Sequence, residues 1–381
     1  MLAVLLAPVY LAANGYVLWR LLHWLSALGV KSRAVRGAAA GAFLLACTAP
    51  LTGFWSGWRP LRALGNVWLG VLLYALLILG LADFLRLVLP KRLRTRKNLL
   101  LAGTAAALTV CFVSGYGVLN GRNVRVTRWQ AEVAKPCAAE DTLNIVLASD
   151  FHLGANLGSR QLAKTAALIN AQQPDLVCLA GDIFDNDYDA LDDPEAIRAA
   201  LASLQSKYGV YACWGNHDVQ EKLLGGFSFR GRPVNDPRMA QLLVDAGVTL
   251  LADEAVEVNG AFYLVGRKDA KRPADGMARQ PAATLTAGLD KTKPILFLDH
   301  QPRELAAAAA AGADVVLSGH THDGQLFPAN LVIDLLWKNA WGCRTVDGVT
   351  SVVTAGVGMW GPPMRVGTHA EIVQLTLRFQ A

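Results

Sequence analysis

The stretch Leu143-Asn144-Ile145-Val146-Leu147-Ala148-Ser149-Asp150-Phe151-His152 decides the fold of the larger part of this chain. A run of strand length, almost wholly apolar, ends in an Asp-x-His. The same design recurs downstream. Asp175-Leu176-Val177-Cys178-Leu179 runs into Gly181-Asp182, and Tyr208-Gly209-Val210-Tyr211-Ala212-Cys213 into Gly215-Asn216-His217-Asp218. Pro294-Ile295-Leu296-Phe297-Leu298 runs into Asp299-His300, and Ala313-Asp314-Val315-Val316-Leu317 into Gly319-His320-Thr321-His322. Short continuous apolar runs suit strands buried on both faces. Helical segments at 161–172 and 194–205 read as crossover connections, and the Ala306–Ala311 run reads as helix. The pattern predicts an α/β domain over 142–381. Every polar cluster falls just past a strand's C-terminal end, on the rim where open α/β sheets place their ligands.

Five of the seven histidines lie in these clusters, beside Asp, Asn or Gly. Neutral imidazole and carboxylate suit first-row divalent cations, and the absence of Cys argues against a structural zinc knot. So many ligands exceed one tetrahedral ion and suit two ions sharing a bridge. The expected arrangement has Asp150, His152, Asp182 and His322 around one ion, and Asp182, Asn216, His300 and His320 around the other. Asp182 is the bridge, since one carboxylate oxygen serves two cations about 3.5–4 Å apart. A second bridge would be water, ionised between two dications, whose hydroxide attacks phosphorus in line. His217 follows the ligand Asn216 directly, so it is assigned to the transition state or the leaving oxygen. Asp185 is assigned to orient the His217 ring, with Asp218 a lesser supporting candidate.

The string Asp-x-His, Gly-Asp-x-x-Asp, Gly-Asn-His-Asp, His, Gly-His-x-His resembles the calcineurin-like metallophosphoesterase superfamily over about residues 142–379. The tail Ser318 to Gln325, Gly356-Val357-Gly358, Pro362, Pro363, Arg365 and Glu371-Ile372 is similar to the YaeI/YkuE-type membrane-associated phosphodiesterases, some with multi-span N-termini. Asp323 departs from that subgroup's usual Gly, and His369-Ala370 from its usual Pro; Asp323 adds negative charge beside the site. The resemblance implies a four-layer α-β-β-α sandwich, phosphodiester substrates that include lipid-linked and nucleotide-sugar compounds, and manganese, iron or zinc.

The 381 residues are 53% hydrophobic and only 17% charged, and the apolar weight gathers before residue 120. Four stretches, at roughly 2–22, 37–56, 66–89 and 99–119, approach the ~20 apolar residues that cross a bilayer. The second is weakened by Pro50 and Gly53, and the third has its limit near Asp83 and Arg86. The first lacks a basic flank before it and reads as a retained anchor. Arg20, Lys31, Arg33 and Arg36 follow the first span, and Lys91, Arg92, Arg94, Arg96 and Lys97 precede the fourth. The basic loops place that side in the cytoplasm, and everything after Leu119 outside. Residues 120–141 read as a linker or edge strand. The net charge of +6 owes much to the loops and gives no reason to expect nucleic acid as a partner.

Cys137 and Cys343 are placed to pair outside the cytoplasm, without anything in the sequence to decide it. Arg230, Arg232, Arg267 and Lys268 read first as solvated charges and second as a phosphate or head-group site. Residues 331–337, with Trp341, Met359 and Trp360, read equally as core or as a surface that meets the bilayer. The favoured function is an integral-membrane phosphodiesterase or pyrophosphatase acting outside the cytoplasmic membrane, with a lipid-linked substrate as the sharper form. The alternatives are a monoesterase or nucleotidase for soluble metabolites, a binding scaffold, and a transport or sensing module regulated by the esterase.

Overall fold

The computed structural model describes residues 2–224, 227–269 and 278–380. The chain divides into a helical unit, Met1–Leu119 with the short segments Lys222–Gly231 and Gly361–Met364, and a larger α/β unit of Asn120–Glu221, Arg232–Trp360 and Arg365–Ala381.

The helical unit holds α1 (Leu2–Ala27), α2 (Arg33–Ser56), α3 (Arg59–Val88) and α4 (Arg96–Gly121). All four are long and apolar enough to cross a membrane. At about 1.5 Å per residue each exceeds a hydrocarbon core about 30 Å thick. Ser32 caps α2 by accepting the Val35 N–H, and Gly57 ends it in the left-handed conformation. Pro50 lies inside α2 without ending it. Gly65 explains how α3 packs there, because a Cβ at that position would overlap the Pro50 backbone. α3 also passes through Asp83 instead of stopping before it. The Asp83 carboxylate accepts from the Tyr16 hydroxyl at 2.5 Å and pairs with Arg20 at 3.0 Å, which offsets the cost of an ion at that depth.

After α4 the chain forms β1 (Arg125–Val133), β2 (Thr142–Ala148), α5 (Ser159–Asn170), β3 (Leu176–Ala180), α6 (Pro194–Ala202), β4 (Val210–Cys213), β5 (Gln220–Leu224), β6 (Phe227–Val234), α7 (Pro237–Asp245) and β7 (Thr249–Leu250). It continues with β8 (Glu254–Val258), β9 (Phe262–Gly266), α8 (Ala282–Leu285), β10 (Ile295–Leu298), α9 (Leu305–Ala310), β11 (Val315–Ser318), β12 (Gly342–Val346), β13 (Val349–Val353) and β14 (Glu371–Phe379). One sheet has the order β1-β14-β2-β3-β4-β7 and the other β12-β13-β11-β10-β9-β8. β5 and β6 pair separately.

Residue parity sorts the apolar runs into layers. Leu143, Ile145 and Leu147 of β2, Leu176 and Cys178 of β3, and Val373 and Leu375 of β14 face a shared core with Leu296 and Leu298 of β10 and Leu317 of β11. The alternate residues Val146, Val177 and Leu179 face a second cluster with Leu162 and Ile169 of α5, Ile197 of α6 and Leu242 of α7. On the far side Ile295, Phe297 and Val316 pack on Leu305 and Ala308 of α9. The result is the four-layer α-β-β-α sandwich. It buries both faces of each central strand, which is why the runs show no polar alternation.

The segment read as a linker or edge strand contributes an edge strand. β1 alternates in burial and pairs in parallel with β14 from Arg125↔Glu371 to Val133↔Phe379, closing an edge of the first sheet. Cys137 and Cys343 are both free thiols. Arg267 is overturned as a solvated charge, the first reading of it, and as a surface phosphate ligand. It is buried, and its guanidinium meets Asp299 at 3.2 Å and Glu304 at 2.9 Å, since a buried charge requires a partner. Lys268 donates its backbone N–H to Asp253, while the side chains of Arg230 and Arg232 lie outside the described residues.

Candidate metal centre

Five strand ends converge on one rim: β2, β3 and β4 from one sheet, β10 and β11 from the other. Backbone hydrogen bonds stitch the loops together. The Asp150 N–H donates to Gly181 O at 3.0 Å, His152 N–H to Asp182 O at 3.0 Å, and Gly319 N–H to His300 O at 3.0 Å. Asp218 pins two loops at once, its carboxylate accepting the N–H groups of Asp182 (2.9 Å), Phe184 (2.8 Å) and Gly215 (2.7 Å). Gly215 has no tolerance for a side chain, because a Cβ there would fall on the Asp182 carboxylate.

The converging side chains form two groups at the strand ends, and His152 also belongs to a third with Asp185 and His217. In the first, Asp150, His152 and His322 bring their ligand atoms together. His322 Nε2 lies 3.2 Å from His152 Nε2 and 3.4 Å from Asp150 Oδ1. In the second, Asp182, His300 and His320 converge. His300 Nε2 is 3.1 Å from Asp182 Oδ2, 3.2 Å from the Asn216 side-chain oxygen and 3.2 Å from His320 Nδ1. The two groups meet at one atom. Asp182 Oδ2 also faces His152 Nε2 at 3.9 Å, while Asp182 Oδ1 accepts the His217 N–H at 2.7 Å.

Whether these residues suit a cation can be tested on their protons. His300 sets Nδ1 2.8 Å from the carbonyl of Ala180, which accepts a proton there, so in the ring's neutral form Nε2 is left as a bare lone pair. That lone pair faces a carboxylate oxygen and an amide oxygen. Three acceptors without a donor repel, and a cation among them removes the conflict. The electrostatics agree in sign. Burial lowers the proton affinity of His300, yet the Asp182 and Asp150 carboxylates outweigh it and raise the ring well above its ordinary pKa. Burial likewise raises Asp182, but His300 and His217 hold its carboxyl well below the usual range. The pocket therefore calls for positive charge, and the residues fit a pair of divalent ions.

The backbone carries a cost here. Asp150, His152, Asp182, His320 and His322 all have positive φ, between 48° and 74°. Side chains other than Gly visit this region at a cost of order 1–3 kcal/mol each, and such strain collects at functional sites.

His217 lies at the first group's edge, its ring centroid 4.9 Å from that of His152. Its Nδ1 hydrogen-bonds the side-chain oxygen of Asn186, a residue the sequence reading missed. Asp185 stands 3.4 Å from His152 Nδ1 and 3.8 Å from His217 Nδ1, so it serves the His152 ring at least as closely as the His217 ring. Burial lowers the His217 pKa. Asn186 sits in a loop with no motif to mark it; only its place four residues after Asp182 hinted at proximity. Trp337 and Trp360 were singled out only for apolarity, yet their rings approach His320 at 5.1 Å and His217 at 6.3 Å.

Residues 143–324 match the protein family described as calcineurin-like phosphoesterase. The chain is 30% identical over 300 residues to a bovine "Transmembrane protein with metallophosphoesterase domain", covering 75% of this chain and 64% of that one. It thus spans a little under two thirds of the bovine relative's length. It is 29% identical over 271 residues to a metallophosphoesterase of Aquifex aeolicus, covering 70% of this chain and 96% of that one. With "Phosphodiesterase YaeI" of Escherichia coli it shares 28% identity over 294 residues, 72% of this chain and 96% of that one.

Proposed function

We propose that the chain carries a calcineurin-like phosphoesterase domain, whose family model matches residues 143–324, and that the whole protein is an integral-membrane phosphodiesterase using two divalent metal ions. The observation that carries this reading is the shared Asp182 Oδ2, which faces both His300 at 3.1 Å and His152 at 3.9 Å. Asp150, His152, Asp182 and His322 would hold one ion, and Asp182, Asn216, His300 and His320 the other. Bound there, manganese, iron or zinc supplies positive charge and Lewis acidity to the phosphoryl oxygens.

The chain's own groups do the rest. Asp182 Oδ1 fixes the His217 backbone by accepting its N–H. The Asn186 amide oxygen keeps a proton on His217 Nδ1, so Nε2 is the atom that would take up a second proton and pass it to the departing oxygen. Asp185 orients the His152 ring. The four apolar helices and the basic loops beside them support a multi-pass inner-membrane protein with this site on the outer side. Confinement to the membrane plane favours a lipid-linked diester.

The test is hydrolysis of bis(4-nitrophenyl) phosphate and of 4-nitrophenyl phosphate by the full chain in detergent. Diester hydrolysis should vanish with EDTA and return with manganese. His217→Ala should cut kcat by about 10²–10⁴ while the metal content per chain is unchanged. A monoester turned over faster than the diester would replace this reading with a phosphomonoesterase.

A further inference from the structure

Between His322 and β12 the chain leaves the sandwich and exposes an apolar surface. Two 3-10 turns, Ala329–Leu331 and Ile333–Leu335, carry Leu331, Val332, Leu335 and Leu336, which are 65%, 49%, 83% and 75% exposed. Phe327 and Trp360 extend the patch, at 45% and 38%. Among the described residues of the α/β unit, the other exposed large apolar side chains are Val234 and Val244. Apolar exposure in this unit thus concentrates beside the candidate metal centre, and the core reading of residues 331–337 fails.

The patch is held in place. The Gln325 side chain donates to Trp360 O and accepts the Trp360 N–H, both at 2.9 Å. Phe327 N–H donates to Val366 O at 2.8 Å, and the Thr321 hydroxyl donates to Ala340 O. Trp337 is clamped between the His320 ring and the Arg303 guanidinium, which lies 4.4 Å from the indole centroid. Around the apolar face the charges are paired, Asp334 with Arg344 and Lys338 with Asp347. A fixed apolar surface with a neutralised polar rim, next to phosphate chemistry, is shaped for a molecule with a phosphate at one end and hydrocarbon at the other.

We propose that residues 327–336 form the acyl-chain platform of a lipid phosphodiester substrate. The hydrocarbon lies on Leu331, Val332, Leu335 and Leu336, and the phosphate lies between the walls made by Trp337 and Trp360. The four membrane-crossing helices of the same chain select this occupant, since they keep the unit where lipid is the most concentrated apolar ligand. This rests on the diesterase reading above and adds what the second ester carries.

The experiment uses the full chain in amphipol and 4-nitrophenyl alkyl phosphodiesters with methyl or hexadecyl as the second ester. For the wild type, kcat/KM is expected to be at least tenfold higher for the hexadecyl ester. The double variant Leu335→Ser, Leu336→Ser should lose that advantage while hydrolysing the methyl ester at the wild-type rate. Equal rates on both esters in the wild type would overturn the platform and leave the diesterase reading intact. Hydrolysis of neither ester would count against the diesterase reading. The platform would then stand or fall on binding of hexadecylphosphonate, which the double variant must weaken at least tenfold. A wild-type dimer that the double variant converts to monomer would assign the patch to a second copy of the chain and overturn the proposal.

Discussion

Asp182→Asn is expected to lower diester hydrolysis by at least about a thousandfold, with bound divalent metal falling from about two ions per chain to one or none. The substitution is nearly isosteric, and the new amide oxygen still accepts the His217 N–H that Asp182 Oδ1 holds at 2.7 Å. What is lost sits at the other atom. Oδ2 is the one oxygen that faces both His300 and His152, and with Asn it becomes an NH₂ that directs hydrogens at His300 Nε2. Charge is lost too, in a buried pocket whose remaining carboxylate, Asp150, is itself pushed up by burial. A neutral donor there disfavours both proposed ions together, so the loss should exceed that from a ligand serving one. The check is steady-state kinetics with elemental analysis of the purified chain, and thermal unfolding to show the fold intact. Activity within tenfold of wild type at full metal content would remove Asp182 from the shared position.

How much of this was legible in the sequence depends on which residues are considered. The runs ending at Asp150, Gly181-Asp182, Gly215-Asn216, Asp299-His300 and Gly319-His320 were visible, because strands buried on both faces and polar loops at their ends leave a strong contrast. Their division between two sheets was not legible from the runs themselves. Val146 and Leu147 look alike in sequence, and only parity in three dimensions sends one to the helical face and the other between the sheets. β1 was left open between linker and edge strand for a different reason: its partner β14 lies some 240 residues away, and its half-exposed alternation resembles a polar linker. Arg267 was misplaced because local sequence does not show that Asp299 and Glu304 wait for it inside the fold. Asn186 was missed because a single amide bonding one imidazole leaves no pattern. The exposure of Leu335 and Leu336 was undecidable in advance, since an apolar run after a catalytic loop has the same composition whether it turns inward or outward.

Arg365 shows how a residue of the tail can control the site from beneath. It is fully buried, and its guanidinium donates to four backbone carbonyls: His322 at 3.2 Å, Ala355 at 2.6 Å, Gly356 at 3.2 Å and Gly358 at 2.7 Å. Burial pulls its pKa down to about 10, so the group stays charged at neutral pH. Arg365→Met fills much of the same volume but takes the side-chain donor from all four and leaves Ala355 O and Gly358 O with none, while His322 O keeps the Gln325 N–H and Gly356 O the Glu371 N–H. The expected loss is about 3–5 kcal/mol, a fall of about 6–20 °C in the Tm of the α/β unit. Arg365→Lys should fall between, because an ammonium offers three donors from one point and does not span a fork of carbonyls. The damage should reach the metals as well. The His322 carbonyl is one of the four, and His322 holds a left-handed backbone at φ 51° that nothing intrinsic to histidine favours. Freed from Arg365, that turn should relax and weaken the first group's hold on its ion more than the second's. Thermal unfolding followed by near-UV circular dichroism, with metal titration of the folded fraction, measures both effects. A Tm within about 2 °C of wild type would show that Ala355 O and Gly358 O find other donors, and the link from the tail to His322 would be withdrawn.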